Sequence, residues 1–190
     1  MSRRLAAVMA LALSTSVAHA TPESSRPAID ALKVEHVGAG IQVSYIVTGI
    51  FDEGVLERVH SGMRMSFEHR AILLGPRVAV IFPREVVAKT IVVTTVSFDS
   101  LTRRYELERR FVGKAWPKTE KPPDRVEQST TTSREEMEAW MTSVRGIPLP
   151  SPSDPEGKFK IRVRTDLGLR FLLMILPWPK TVTAETWLEL

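Results

Sequence analysis

The chain of 190 residues contains no cysteine. This absence excludes disulfide bonds, thiolate metal sites, a cysteine nucleophile and lipid attachment to a cysteine. The fold must therefore be stabilised by its apolar core. A domain of about 150 residues buries roughly 68–70% of the surface that its unfolded chain exposes, which is enough to be stable without cross-links.

An excess of charge of one sign is also missing. The sequence has 26 Lys and Arg residues against 22 Asp and Glu residues, which gives a formal net charge of +4. Two of the basic residues, Arg3 and Arg4, precede an apolar N-terminal run, and without them the charges nearly balance. A balance of this kind does not attract a protein to nucleic acid, so we expect no nucleic-acid partner.

Common catalytic motifs are absent as well. The sequence contains no G-x-S-x-G, no H-E-x-x-H and no G-x-x-x-x-G-K-[ST] pattern. We therefore predict no catalytic residue, no metal site and no cofactor. One alternative is an enzyme acting on cell-envelope material, with a site assembled from His36, Glu68 or His69. Because Glu68 and His69 are adjacent, a β-strand would direct them to opposite faces, which disfavours a shared site.

The first 20 residues have the pattern of a secretory signal peptide. Arg3 and Arg4 form a basic segment, residues 5–13 are all apolar, and Ala18-His19-Ala20 fits a cleavage site. An apolar run of this length is too short to span a bilayer, which takes about 20 residues. We predict a signal peptide over residues 1–20, a disordered tail over residues 21–27 and a single β-rich domain over residues 28–190. The mature protein is expected to be exported, to a periplasm or out of the cell, with no membrane span.

Most of the mature sequence shows the period-two alternation that is typical of β-strands. The predicted strands lie at residues 31–37, 41–49, 64–74, 84–98, 103–111, 158–168, 170–176 and 182–190. The pair 84–98 and 103–111 is interpreted as a central long hairpin, and residues 77–82 form a brief apolar segment before it. With every proline at a junction, the pattern predicts about eight strands and two short helices. The predicted fold class is mainly β (α+β), a single antiparallel β-sandwich-like domain.

Two short helices are predicted from capping signals. Asp52 is placed to cap a helix that buries an apolar face, and Ser133 followed by Glu136 forms a capping box for a second helix. The apolar face of the second helix follows the i, i+3, i+4, i+7 spacing through Met137, Trp140, Met141 and Val144. Gly146 is expected to end this helix, and the prolines that follow to prevent it from resuming. Residues 114–125, rich in proline, are predicted to form a loop.

Six consecutive apolar residues, 171–176, precede Pro177-Trp178-Pro179. We interpret this run as a strand that is buried on both faces. Two alternatives stay open. The run would form a hairpin that dips into a membrane, or it would line the internal cavity of a carrier for an apolar ligand.

The segment "KFKIRVRTD" alternates strictly between apolar and basic residues. A strand would place Phe159, Ile161 and Val163 on one face. The other face would carry a basic row, which consists of Lys158, Lys160, Arg162 and Arg164. This basic row is the predicted binding surface, and the competing interpretation is an ordinary solvated face.

A second basic set is interleaved with Glu106 and Glu108 and is interpreted as a solvated face of mixed sign. It consists of Arg103, Arg104, Arg109 and Arg110.

Four segments together resemble an uncharacterised family of bacterial exported proteins, classed as a domain of unknown function. They are "FDEGVLERVHSGMRMSFEHR", "FDSLTRRYELERR", "TTTSREEMEAWMTSVRGIPLP" and "ILPWPKTVTAETWLEL". The resemblance implies that some relatives are encoded near nitrogen-regulation-type sensor kinases, which points to envelope sensing. It assigns no role to any residue. The predicted function is a non-catalytic binding module whose partner is an envelope protein or an anionic envelope component.

Overall fold

The computed structural model describes residues 26–38, 40–76, 83–115, 125–152, 158–172 and 176–189. The predicted signal peptide, most of the predicted tail and the brief apolar segment at residues 77–82 lie outside the described residues. The described part of the chain forms nine strands and two helices. It confirms the predicted mainly β, sandwich-like fold class.

The strands form two antiparallel sheets. The smaller has the order β1-β2-β7, with β1 at Ala28–Val37, β2 at Gly40–Thr48 and β7 at Ser143–Pro150. The larger has the order β6-β5-β4-β3-β8-β9. Its strands are β3 (Met65–Leu74), β4 (Val86–Asp99), β5 (Arg104–Ala115), β6 (Arg125–Thr131), β8 (Lys158–Leu172) and β9 (Leu176–Glu189).

The core lies between the two sheets, where the alternating apolar residues of both meet. In β2, the predicted apolar parity of Ile41, Val43, Tyr45 and Val47 is buried. In β3, Phe67, Ala71 and Leu73 also share one face of the strand, and all three are buried. Burying one such side chain contributes about 1.5–3 kcal/mol, so the two inner faces supply most of the stabilisation.

Both predicted helices are present, and Asp52 and Ser133 cap them as predicted. The reciprocal half of the predicted capping box is not formed, because the Ser133 backbone N–H donates to Thr131 Oγ1 at 3.0 Å instead of to Glu136. Helix α1 (Glu53–His60) begins after Asp52, whose Oδ1 accepts a hydrogen bond from the Val55 backbone N–H at 2.9 Å. Helix α2 (Arg134–Thr142) begins after Ser133, whose Oγ accepts from the Glu136 backbone N–H at 3.2 Å. Each cap satisfies a backbone donor that the first helical turn leaves free.

Strand β7 corrects the prediction for the segment after α2. The helix ends at Thr142, and Val144 is buried in the strand that follows rather than on the helix face. The prolines at 148 and 150 lie inside this strand instead of at a junction. They are tolerated because β7 is an edge strand, where a missing backbone N–H removes no ladder hydrogen bond. Strand β6 was likewise not predicted, since its "RVEQSTT" sequence is polar and lacks alternation.

The apolar run at residues 171–176 is not one continuous strand. Phe171 pairs with Pro177 and Leu172 pairs with Leu176, so the turn between β8 and β9 falls within the run. Residues 173–175 lie outside the described part of the chain. Pro177 and Pro179 lie within β9, which is again an edge strand.

Candidate functional site

The predicted basic row occupies the outer face of β8. The intervening residues Phe159, Ile161 and Val163 are 2%, 0% and 0% exposed and point into the core. The four basic side chains alternate with them and therefore point away from the smaller sheet. The two-faced strand that the sequence predicts is confirmed.

Acidic residues neutralise part of this row. Lys160 and Arg162 both form ion pairs with Glu185, which faces Arg162 in the β8–β9 register. The hydrogen bonds from Lys160 and then from Arg162 hold the pKa of Glu185 below its usual value. The row is thus not a uniform positive stripe. Two cations share one carboxylate at its centre.

Arg164, at the other end of the row, belongs to a second ion-pair group. Its Nε lies 3.0 Å from Asp166 Oδ1, and Arg70 Nη1 on β3 lies 3.0 Å from the other oxygen of the same carboxylate. Partial burial alone would raise the pKa of Asp166. Hydrogen bonds from Thr181 and Arg164, with the charge of Arg70, outweigh it and hold the pKa below the usual value. This end of the row is internally compensated.

The distinctive feature of this face is Trp187 on β9, which is 57% exposed. The Arg84 guanidinium carbon lies 4.8 Å from the centre of the Trp187 ring, and Lys160 Nζ lies 5.3 Å from it. Both distances fall within the range of cation–π interaction. We call Arg84, Lys160, Arg162 and Trp187 the Trp187 patch.

Arg84 is held in place by the backbone. Its Nη1 donates to the carbonyl oxygen of Gly75 at 2.7 Å and to that of Lys158 at 3.3 Å. Lys160 and Arg162 share the carboxylate of Glu185, whereas Arg84 contacts two carbonyl oxygens and the Trp187 ring. The patch therefore presents an aromatic ring and a local excess of positive charge on an ordered sheet.

Sequence reasoning did not single out Trp187, although a signal was available. In β9 the residues of one parity, Val182, Ala184 and Leu188, are buried or half-buried against the core. Trp187 belongs to the other parity, with Thr183 and Glu185. An aromatic residue among the polar, outward-facing residues of a strand does not pack in the core, and this position could have drawn attention to Trp187.

The structure does not bring together the residues of the enzymatic alternative. His69 is fully buried, with its Nδ1 3.0 Å from Thr165 Oγ1 and its Nε2 3.2 Å from Thr94 Oγ1. Glu68 lies on the opposite face of β3 and pairs with Arg70 at 2.5 Å, while His36 is exposed on β1 in the other sheet. Across the described ranges, no group of three or more His, Cys, Asp or Glu residues is arranged to hold a metal ion.

Arg109 corrects the prediction of a solvated face for the arginines of β5. It is 8% exposed and points inward, where its Nη2 donates to the carbonyl oxygens of Trp140 at 2.7 Å and Ser143 at 2.9 Å. Its guanidinium carbon lies 4.5 Å from the centre of the Trp140 ring. Arg109 therefore anchors the end of α2 to β5. Arg109 lies on the same face of β5 as the buried Leu107 and Phe111, and this alternation could have predicted that it points inward.

Most of the chain matches a known protein family. A family model described as Domain of unknown function (DUF4390) matches residues 24–172. The chain belongs to the DUF4390 family. No curated protein and no solved structure matches it.

The DUF4390 match confirms the resemblance to an uncharacterised family with a domain of unknown function. It covers the whole basic row on β8, whereas Glu185 and Trp187 lie on β9, beyond the matched range. In the described residues of this DUF4390 chain, no helix is both long and apolar enough to cross a membrane.

Proposed function

We propose that this DUF4390 protein is an exported, non-catalytic binding module whose Trp187 patch docks onto an acidic surface of a protein in the bacterial envelope. The exposure of Trp187 between two cations is the observation that carries the proposal. A tryptophan that is 57% exposed contributes little to the core, so its position needs another reason. Trp and Arg are the residue types that most often dominate the binding energy of protein interfaces.

The charges of the surrounding face favour a protein over a lipid surface. Glu185 and Asp166 lie on the same face as Lys160, Arg162 and Arg164. A uniformly anionic membrane would repel these carboxylates while attracting their neighbours. A protein surface can instead match a pattern of mixed sign, which gives specificity and register.

Export and envelope sensing form the cellular part of the proposal. The signal-peptide pattern of residues 1–20 supports export. The resemblance noted above implies a link to nitrogen-regulation-type sensor kinases. The extracytoplasmic domain of such a kinase is therefore the first partner to test. Export is tested by the intact mass of the protein from cells, which should lack residues 1–20.

Site-specific photo-crosslinking in living cells tests the docking surface. A photoreactive phenylalanine analogue at position 187 should form an adduct with one defined envelope protein. The matched control is the same analogue at position 101, because Leu101 is 93% exposed in the turn between β4 and β5. That position should give no such adduct.

Charge reversal then separates specific docking from chance proximity. Changing Lys160→Glu and Arg162→Glu together should abolish the adduct at position 187, and substituting basic residues for acidic ones on the captured protein should restore it. Equal adducts from positions 187 and 101 would refute the proposal, and so would an adduct that survives charge reversal. Co-sedimentation of the mature protein with phosphatidylglycerol vesicles tests the alternative of a lipid partner. Co-sedimentation that is lost in the charge-reversal variant would show that the partner is a lipid and not a protein.

A further inference from the structure

The four edge strands of the two sheets differ in how they are blocked. Strand β7 carries Pro148 and Pro150, and β9 carries Pro177 and Pro179. Strand β1 has a register irregularity between Asp30 and Lys33. Prolines and bulges of this kind prevent an edge from pairing with another strand.

Strand β6 lacks these blocking features. Its sequence "RVEQSTT" contains no proline, and its pairing with β5 runs from Tyr105–Thr131 to Phe111–Arg125 without a register shift. Among the described residues, no strand pairs with its other edge. Val126 in this strand is 49% exposed. The edge therefore offers a regular row of backbone groups that an extended segment can pair with.

A polar groove of about 570 Å³ lies beside this edge on the outer face of the sheet. Most of the residues that line it come from β4, β5 and β6 and include Thr95, Ser97, Glu106, Glu108, Gln128 and Thr130. Arg64, which precedes β3, also lines the groove. Gln128 and Thr130 belong to the edge strand itself. A strand added to β6 would thus place its alternate side chains at the mouth of this groove.

The charge of the groove indicates what those side chains would be. Glu106 is exposed and accepts a hydrogen bond from Ser97 Oγ at 3.3 Å. No described residue forms an ion pair with it. Glu108 lies 3.2 Å from Arg110 and 3.8 Å from Arg64. One carboxylate of the groove is therefore available to a cation from a partner.

The spacing of strands permits this contact. Neighbouring strands lie about 4.8 Å apart, so an added strand would lie about 9.6 Å from β5 and its Glu106. A lysine or arginine side chain on the outer face can extend over Gln128 or Thr130 toward this carboxylate. Shorter side chains cannot make the ion pair.

We infer that β6 is a second docking site, which accepts an extended segment of another protein as a seventh strand of the larger sheet. The bound segment carries lysine or arginine at alternate positions, which face the groove so that one of them pairs with Glu106. Because β6 and the Trp187 patch lie at opposite edges of the same sheet, the two surfaces can be occupied together. This inference does not depend on the proposed function of the Trp187 patch.

Synthetic nine-residue peptides test the inference. The probes are TKTKTKTKT, its acidic counterpart TETETETET, and the interrupted peptide TKTKPKTKT, each titrated into the ¹⁵N-labelled mature protein. The first peptide should shift the backbone amide signals of residues 125–131 with a measurable dissociation constant. The proline peptide should bind at least ten-fold more weakly, because it breaks the strand pairing. The acidic peptide should not bind.

A pair of matched variants tests the role of the groove. Glu106→Gln should weaken binding of the basic peptide by about two- to five-fold, the range that one exposed ion pair contributes. Glu57→Gln, an exposed residue of α1, should leave the dissociation constant unchanged. Any of the following results would overturn the inference: no binding at millimolar peptide, amide shifts that leave β6 and the groove residues unchanged, equal binding of the acidic or proline peptide, or self-association of the protein through β6.

Discussion

The Tyr45 hydroxyl and Thr165 Oγ1 lie 3.3 Å apart in the core and join the two sheets of the molecule. Tyr45 belongs to β2 of the smaller sheet and Thr165 to β8 of the larger one. The same threonine oxygen lies 3.0 Å from His69 Nδ1. A buried polar group without a partner costs about 1–3 kcal/mol, so these contacts favour one alignment of the sheets over its neighbours.

The buried imidazole of His69 predicts a loss of stability in acid. Burial first, and then the positive charge of Arg109, lower the pKa of His69 to about 3. The unfolded chain takes up this proton near pH 6.5, whereas the folded protein does not until about pH 3. The contribution of His69 to the free energy of unfolding is therefore complete above pH 6.5. It should fall by up to about 1.4 kcal/mol per pH unit between those values.

Two measurements check this behaviour. Urea unfolding from pH 7 to pH 4 should show the falling free energy, and the His69 ring signals in NMR spectra should not titrate over the same range. A His69 titration midpoint near pH 6.5 in the folded protein would contradict the neutral, buried imidazole.

Neighbouring arginines on β5 should have very different effects on stability. Arg109→Met leaves the carbonyl oxygens of Trp140 and Ser143 without their donor, and we expect a loss of about 2–4 kcal/mol. Arg110→Met removes an exposed side chain and should change stability by less than about 0.5 kcal/mol. Chemical denaturation of the two variants measures the difference. Equal losses would show that Arg109 is not the anchor of α2.

The cap of α2 offers a smaller and cleaner effect. Ser133→Ala removes the side-chain oxygen that accepts from the Glu136 backbone N–H, so the free energy of unfolding should fall by about 1 kcal/mol. Thr132→Ala is the control, because Thr132 is exposed and precedes the cap. Denaturation midpoints that shift equally in the two variants would exclude a capping role for Ser133.

Prediction from sequence succeeded where one strong periodicity decided the structure. The alternation in β8 gave the buried side of Phe159, Ile161 and Val163, and the capping signals gave both helices. It failed where contacts with residues distant in the sequence determined the structure. The polar "RVEQSTT" segment is a strand because β5 pairs with it, and β7 tolerates two prolines because it lies at a sheet edge.

The candidate sites were only partly accessible to sequence reasoning. The basic row was predicted, but its neutralisation by Glu185 depends on the register between β8 and β9. The position of Trp187 opposite Lys160 depends on the same register. Local pattern cannot give a pairing between strands, so the shift from a basic row to a patch centred on tryptophan required the structure.

Binding of the captured envelope protein to variants of the Trp187 patch is the most direct test of the proposed docking role. The dissociation constant should rise by at least about 30-fold in Trp187→Ala, as expected for a residue that contributes 2 kcal/mol or more to an interface. The free energy of unfolding should change little, because the side chain is 57% exposed. A dissociation constant within two-fold of the unmodified protein, in a variant that remains folded, would contradict docking through Trp187.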